Sequence, residues 1–325
     1  MHLTGGILSH FWAFSTPKQN PALEVLSTSA HPQVTQTVGQ FSLMKGKGKK
    51  MKCKLTRITV HYETFGEGKP IIMLHGWPLD HRIMVNIMEP LFENRDGWKR
   101  IYPDLPGMGE TPGMDWIANQ DQILDILLEF VEEIVPDQRF VVAGFSYGGY
   151  LGRGMVYQRS SMMDGLCLIA PTILADDTQR TLPSHKTLVK DPAVVSGLER
   201  NLAEAFEGFA VVQSRELLDT IMAVSLPARK IANYEFLSKL GDNYAFSFDV
   251  DTLPEPFHGP TLMLMGRQDS ACGYHDAWSI LENYPRGTFA VLDRAGHGLM
   301  VEQRTVFNTL VNEWIDRVEE SAQAA

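Results

Sequence analysis

The chain has 325 residues, 44% of them hydrophobic, and its 39 acidic and 29 basic residues leave a formal net charge of −10. It is long and apolar enough to bury a large core, which excludes a disordered chain, and an acidic protein without a basic stripe is ill suited to gripping nucleic acid or an anionic membrane. No apolar run approaches the roughly 18 residues of a membrane span, and three scattered cysteines (Cys53, Cys167, Cys272) without any Asn-x-Ser/Thr site point to a reducing, cytoplasmic setting with no disulfide framework.

Residues 1–50 differ from the rest. Five lysines against one acid make them +4, leaving −14 on residues 51–325. No hydrophobic period runs through them. Gly5–Phe14 lacks the basic flank of a signal peptide, and the absence of arginine argues against a transit peptide. They read as a disordered arm or an extension upstream of a functional start at Met51, with Lys45–Lys50 as solvated linker.

From residue 53 onward strand and helix signals alternate. Leu55–Thr64 alternates apolar and polar residues and runs into Gly66-Glu67-Gly68, which reads as a hairpin turn. Ile71–Leu74 is a continuous apolar run, as in a strand buried on both faces. A helical period over Arg82–Leu91 follows, then a strand over Arg100–Pro103 and a long amphipathic helix over Gln120–Val135. Strands are predicted over Phe140–Ala143, Leu166–Ala170, Thr261–Met265 and Phe289–Leu292. Helices are predicted after Ser146, near Asp276–Glu282 and from Leu299 to Arg317. The β-α-β-α order implies a mainly parallel sheet covered on both faces. Residues 172–257 interrupt it with helical patterns alone (Val195–Phe209, Arg215–Val224, Arg229–Leu240) and read as a helical insertion before the penultimate strand.

The chemistry concentrates at strand ends. Gly144-Phe145-Ser146-Tyr147-Gly148-Gly149 is a GxSxG sequence between a strand and a helix, the setting of a nucleophile elbow, where the tight turn demands tiny flanking residues. A serine hydroxyl needs a base. His297, in Ala295-Gly296-His297-Gly298 directly after the last strand, has room on both sides to reach the elbow. His75 is the rival. The base needs a carboxylate to orient it. Asp269, in Gly266-Arg267-Gln268-Asp269 after the strand TLMLM, falls on the same sheet edge; Asp293 and Asp176 or Asp177 are weaker alternatives. The backbone N–H groups of Tyr147, at a helix start, and of Trp77, in the loop His75-Gly76-Trp77-Pro78, are the expected oxyanion donors, with Gly76 allowing close approach and His75 supporting the loop. Gly107–Gly113 has the wrong spacing for a nucleotide loop, and Cys272 with His275 makes only half a metal site, so no cofactor and no metal are expected.

HGWPLD (75–80), DLPGMG (104–109), GFSYGG (144–149), GRQD (266–269) and GH (296–297) stand in order and at fitting separations. Together they resemble the α/β-hydrolase fold family in its branch with a helical cap, and the resemblance covers about residues 55–320. It implies an eight-stranded, mostly parallel sheet with helices on both faces, a core of residues 51–171 and 258–325, and a cap of residues 172–257. It assigns Ser146 as nucleophile, Asp269 as acid, His297 as base, and Trp77 and Tyr147 as oxyanion donors. A serine at the elbow argues against the dehalogenases and epoxide hydrolases of the fold, which use aspartate. HGWPLD and GFSYGG are also similar to the cofactor-free haloperoxidases, which behave as esterases. The expectation is a serine esterase of the carboxylesterase type acting on a small or medium ester. The alternatives are a C–C bond hydrolase, a lactonase or amidase on the same residues, and a non-catalytic ligand-binding member of the fold. Oligomeric state is not legible.

Overall fold

The computed structural model describes residues 48–323, so the arm expected over residues 1–50 lies outside them except for its last three. Eight strands form one sheet: β1 (Lys49–Lys54), β2 (Thr59–Phe65), β3 (Lys69–Leu74), β4 (Trp98–Pro103), β5 (Phe140–Phe145), β6 (Met163–Ile169), β7 (Thr261–Gly266) and β8 (Gly287–Leu292). Their order is β1-β2-β4-β3-β5-β6-β7-β8. β1–β2 and β2–β4 are antiparallel, and every other pair is parallel.

The pairing corrects two expectations for the first strands. The strand read as Leu55–Thr64 is β2 and begins only at Thr59, and ahead of it stands a separate β1 whose first two residues, Lys49 and Lys50, fall in the stretch read as linker and pair with Thr64 and Glu63. Lysines at 49, 50, 52 and 54 are what an edge strand carries to discourage pairing with another chain, so a charged edge strand reads like a solvated linker. The turn at Gly66–Gly68 is also no hairpin, because β4 lies between β2 and β3. It packs so closely on the loop before β4 that a Cβ on Gly68 would stand 2.1 Å from the Gly97 carbonyl oxygen.

The central strands are apolar beyond Lys69 of β3 and Asp164 of β6, and alternation divides them between two cores. Ile71 and Met73 of β3, with Val141 and Ala143 of β5, face α1 (His81–Met88) and the terminal helix; Ile72, Leu74, Val142 and Phe140 face α2 (Gln120–Ile134) and α3 (Tyr147–Arg159). Asn119 caps α2 by accepting the Gln122 N–H, and its apolar face (Ile123, Leu127, Phe130) is buried. The expected helix over Leu299–Arg317 is broken at Gln303 and extends further than expected.

Between β6 and β7 the chain is helical: α4 (Pro192–Val195), α5 (Arg200–Phe209), α6 (Arg215–Thr220), a π-helical turn (Ile221–Ser225), α7 (Leu226–Ile231) and α8 (Tyr234–Gly241). The rest of the chain adds α9 (His275–Trp278), α10 (Leu299–Glu302) and α11 (Arg304–Gln323). Among the described residues no helix is long and apolar enough to cross a membrane.

Arg153 of α3 pins both ends of this insertion. It is wholly buried. Its Nη1 donates to the carbonyls of Thr172 (2.9 Å) and Ile173 (3.1 Å), just past β6, while Nε donates to Asp251 Oδ1 (3.1 Å) and Nη2 bonds the other oxygen of that carboxylate, ahead of β7. Removing one member of a buried ion pair leaves the other uncompensated. Asp251→Ala is expected to lower unfolding stability by about 3 kcal/mol, read from urea denaturation midpoints at constant slope.

Candidate active site

The parallel register sets the carboxyl ends of β3, β5, β6, β7 and β8 along one edge, where open α/β sheets present their ligand sites. Every site residue named from the sequence lies at this edge, on the loops leaving it or, for Tyr147, at the start of α3.

Ser146 occupies the turn from β5 into α3 with φ 54° and ψ −113°, a conformation that L-residues adopt only under strain. The glycines around it are forced by contact. A Cβ on Gly144 would lie 2.3 Å from the Gly148 carbonyl oxygen, one on Gly148 2.2 Å from the Leu74 carbonyl oxygen, and one on Gly149 2.7 Å from Pro171 Cβ. The turn at Ser146 is therefore wedged between β3 and the exit of β6.

His297 Nε2 lies 3.0 Å from Ser146 Oγ, and its Nδ1 lies 2.9 Å from Asp269 Oδ2. Asp269 is completely buried, and its other oxygen accepts the N–H groups of Ala271 (2.8 Å) and Cys272 (3.0 Å). With Oδ1 held by the backbone, Oδ2 is fixed toward the imidazole. Burial works against a charged His297, but the Asp269 carboxylate outweighs it, and the pKa rises well above the ordinary 6.5. Gly266 makes this closeness possible, since a Cβ there would meet the Gly296 carbonyl oxygen at 2.2 Å. The Gln268 side chain laces the two loops, accepting from the Ala295 N–H at 3.1 Å and donating to Asp293 at 3.1 Å. Asp293 is thus spent outside the constellation, and Asp176 is spent capping Thr178.

His75 stands apart from the serine. Its Nε2 accepts the Leu105 N–H at 3.0 Å, so Nδ1 carries the proton and donates to the Gly76 carbonyl at 2.9 Å. Complete burial holds its pKa below the usual value. Those bonds brace the loop that brings Gly76 against the elbow, where an added Cβ would lie 3.1 Å from Ser146 Cβ. Trp77 lines the pocket beside Ser146, its ring edge-on to Tyr147 at 5.2 Å. Tyr147 opens α3, where the first N–H groups have no acceptor within the helix.

Above Ser146 and His297 lies a pocket with about 750 Å³ of empty space, its open mouth included. Leu79, Ile83 and Met300 of the core and Phe209, Leu217 and Ile221 of the helical insertion make its apolar walls. Three neighbours of the site were not legible as such. Cys272 places its thiol 4.0 Å from Ser146 Oγ and 3.5 Å from Thr172 Oγ1. The sequence pairs it with His275, which instead begins α9 with its ring tilted against that of Tyr274. Its place three residues past Asp269, in the same turn, is the signal that could have found it. Glu302 accepts N–H groups from Gly296 (2.6 Å), Val211 (2.7 Å) and Val212 (3.1 Å), clasping the His297 loop to the insertion. Burial pushes its pKa up to about 7 against the pull of those bonds. Arg229 of α7 lines the pocket from above.

Among the described residues one cluster has the makings of a metal site: Asp80, His81 and Asp104, all buried. Its members already serve one another. Asp80 holds Arg82, and His81 bonds Asp104 at 2.8 Å and Glu63 at 3.4 Å. Burial opposes the charge on His81, but those carboxylates prevail and raise its pKa to about 9. A cation is thus supplied from within the fold.

A strand-to-helix elbow, a serine–histidine–aspartate relay and a parallel sheet with a helical insertion define a class, and the sequence comparison agrees. The profile of the alpha/beta hydrolase family matches residues 71–310, and the chain belongs to that family. It is 26% identical over 272 residues to a pimeloyl-[acyl-carrier protein] methyl ester esterase of Legionella pneumophila, spanning 79% of this chain and all of the relative. An AB hydrolase superfamily protein of Bacillus subtilis is 25% identical over 267 residues, spanning 79% of this chain and 95% of its own. Among solved structures, an alpha/beta superfamily hydrolase from Oenococcus oeni has a TM-score of 0.75 and 26% identity, with 83% of this chain and 99% of that one covered.

Replacing Glu302 by alanine leaves three buried N–H groups without their acceptor. We expect Glu302→Ala to lower stability by about 3 kcal/mol or more, measured by denaturant unfolding.

Proposed function

We propose that the protein is a serine hydrolase that cleaves small or medium carboxylic esters through an acyl-enzyme. One observation carries this reading: an unbroken relay from Ser146 Oγ through His297 to Asp269, with steps of 3.0 and 2.9 Å, at the base of an apolar pocket. The esterase name of the Legionella relative supports the same bond type.

Ser146 Oγ attacks the ester carbonyl while His297 Nε2 takes its proton. Asp269 stabilises the imidazolium and keeps the proton on Nδ1 of the resting ring. The backbone N–H groups of Trp77 and Tyr147 hold the oxyanion, the latter aided by the positive end of the α3 dipole. His297 then protonates the leaving alcohol. Water, activated by the same histidine, attacks the acyl-enzyme and returns the serine. The strained φ of Ser146 keeps Oγ clear of α3 and facing the pocket. Residues 172–257 act as the cap, and their helices set the shape of the acyl chamber. Met, Leu and Ile side chains around it suit a flexible hydrocarbon chain.

The test is turnover of p-nitrophenyl esters from acetate to palmitate. Ser146→Ala and His297→Ala are each expected to lower kcat by roughly four orders of magnitude with an unchanged circular dichroism spectrum. Near-wild-type turnover by either variant defeats the proposal. The pH profile gives a second check. His297 must be neutral to accept a proton, and its pKa is raised, so kcat/KM falls on the acid side with an apparent pKa above 6.5. Removing the charge in Asp269→Asn moves that limb downward; a limb that stays in place argues against His297 as the base.

A further inference from the structure

The helix that roofs the pocket is irregular where it faces the substrate space. α6, the π-helical turn and α7 follow one another without a break. Pro227 accounts for the wide turn. Its ring has no N–H and would clash with the carbonyl four residues back, at Ala223, in a regular α-helix. The wide turn also decides which residues face the pocket. Leu217, Ile221, Ser225 and Arg229 all line it at steps of four. In an ideal α-helix Arg229 would point about 120° away from Leu217. The π turn takes back part of that rotation and brings the arginine to the pocket wall.

Arg229 is a buried cation. The Tyr234 hydroxyl lies beside its guanidinium, yet burial holds the pKa below the ordinary value. The group stays charged at any working pH. A second arginine shares the pocket. Arg180 donates to the carbonyls of Leu174 (2.9 Å), Ala175 (3.2 Å) and Ala271 (3.3 Å). Ala271 precedes Cys272, whose sulfur is 4.0 Å from Ser146 Oγ. Among the described residues that line the pocket, two are arginines and none is Asp, Glu or Lys. In a chain with a net charge of −10 this is a local inversion of sign, and low-dielectric walls focus its potential into the cavity.

Building on the serine-hydrolase reading, we propose that the Arg229 side of the pocket is an anion subsite that takes a carboxylate carried by the substrate at a distance from its ester. Half-esters of dicarboxylic acids are then preferred over neutral esters of the same length. The planar fork of a guanidinium matches a carboxylate in a bidentate pair. The apolar wall between Ser146 and Arg229 accommodates the methylenes that separate ester from acid. Arg180 adds positive potential from the opposite end of the insertion.

The experiment uses the full-length protein with monomethyl adipate and monomethyl suberate against methyl hexanoate and methyl octanoate. The wild type is expected to favour the half-esters in kcat/KM by about ten- to a hundredfold, the range of a charge-assisted hydrogen bond. That ratio collapses to near unity in Arg229→Met and survives in part in Arg229→Lys. A wild-type ratio of one or less overturns the subsite, as does a preference that Arg229→Met leaves unchanged. Calorimetric titration of monomethyl suberate into Ser146→Ala separates the two readings. Binding there that Arg229→Met abolishes, with no turnover of any ester by the wild type, defeats the hydrolase reading and keeps the subsite. Turnover of neutral esters with no half-ester binding defeats the subsite alone.

Discussion

The turn at Ser146 tolerates no side chain at three of its neighbours, and the rest of the site is arranged around that intolerance. Gly144 and Gly148 meet backbone to backbone, and Gly148 in turn presses on the Leu74 carbonyl at the end of β3. These contacts bring β3, β5 and α3 closer than ordinary residues permit. The loop after β3 is thereby brought against the elbow, with Gly76 touching it and His75 braced between Leu105 and Gly76. A strained φ costs about 1–3 kcal/mol, and the surrounding sheet holds it in place. The same logic repeats one strand pair further on, where Gly266 lets the His297 loop close over the end of β7.

The electrostatics are layered from buried to open. Asp269 is wholly buried with one oxygen committed to backbone donors, so only its second oxygen can answer the imidazole. Behind the histidine loop, Glu302 gathers three backbone N–H groups, two from the insertion and one from Gly296. Movement of the insertion at Val211 and Val212 is therefore felt beside His297, through a single side chain. The insertion and the His297 loop share that connection.

Much of this was written in the local sequence. The strand order of motifs, the glycines of the elbow and the punctuation around His297 are short-range signals, and each follows from a steric need of its own turn. What escaped depends on long-range placement. The start of β1 was unreadable because an edge strand guarded by lysines has the composition of a linker. The turn at Gly66–Gly68 looked like a hairpin because turn chemistry says nothing of which strand slots in between. Glu302 follows a run of helix-forming residues with no motif around it, and its partners are 6, 90 and 91 positions away. Arg229 faces the pocket by virtue of a π turn, which helical periodicity at a fixed 3.6 residues does not anticipate.

Arg153 gathers the carbonyls of Thr172 and Ile173 and the carboxylate of Asp251 onto one guanidinium. Everything between those points leaves and rejoins the sheet at a single anchor, so it is topologically a closed loop. The entropy of closing such a loop grows only with the logarithm of its length, about 0.6 kcal/mol per doubling. The helices over the pocket can therefore lengthen, shorten or be exchanged at little cost to the sheet below, provided the Arg153 anchor and the Glu302 clasp remain. Evolution of a new specificity on this scaffold needs no renegotiation of the fold, only a different sequence strung between two points that already meet.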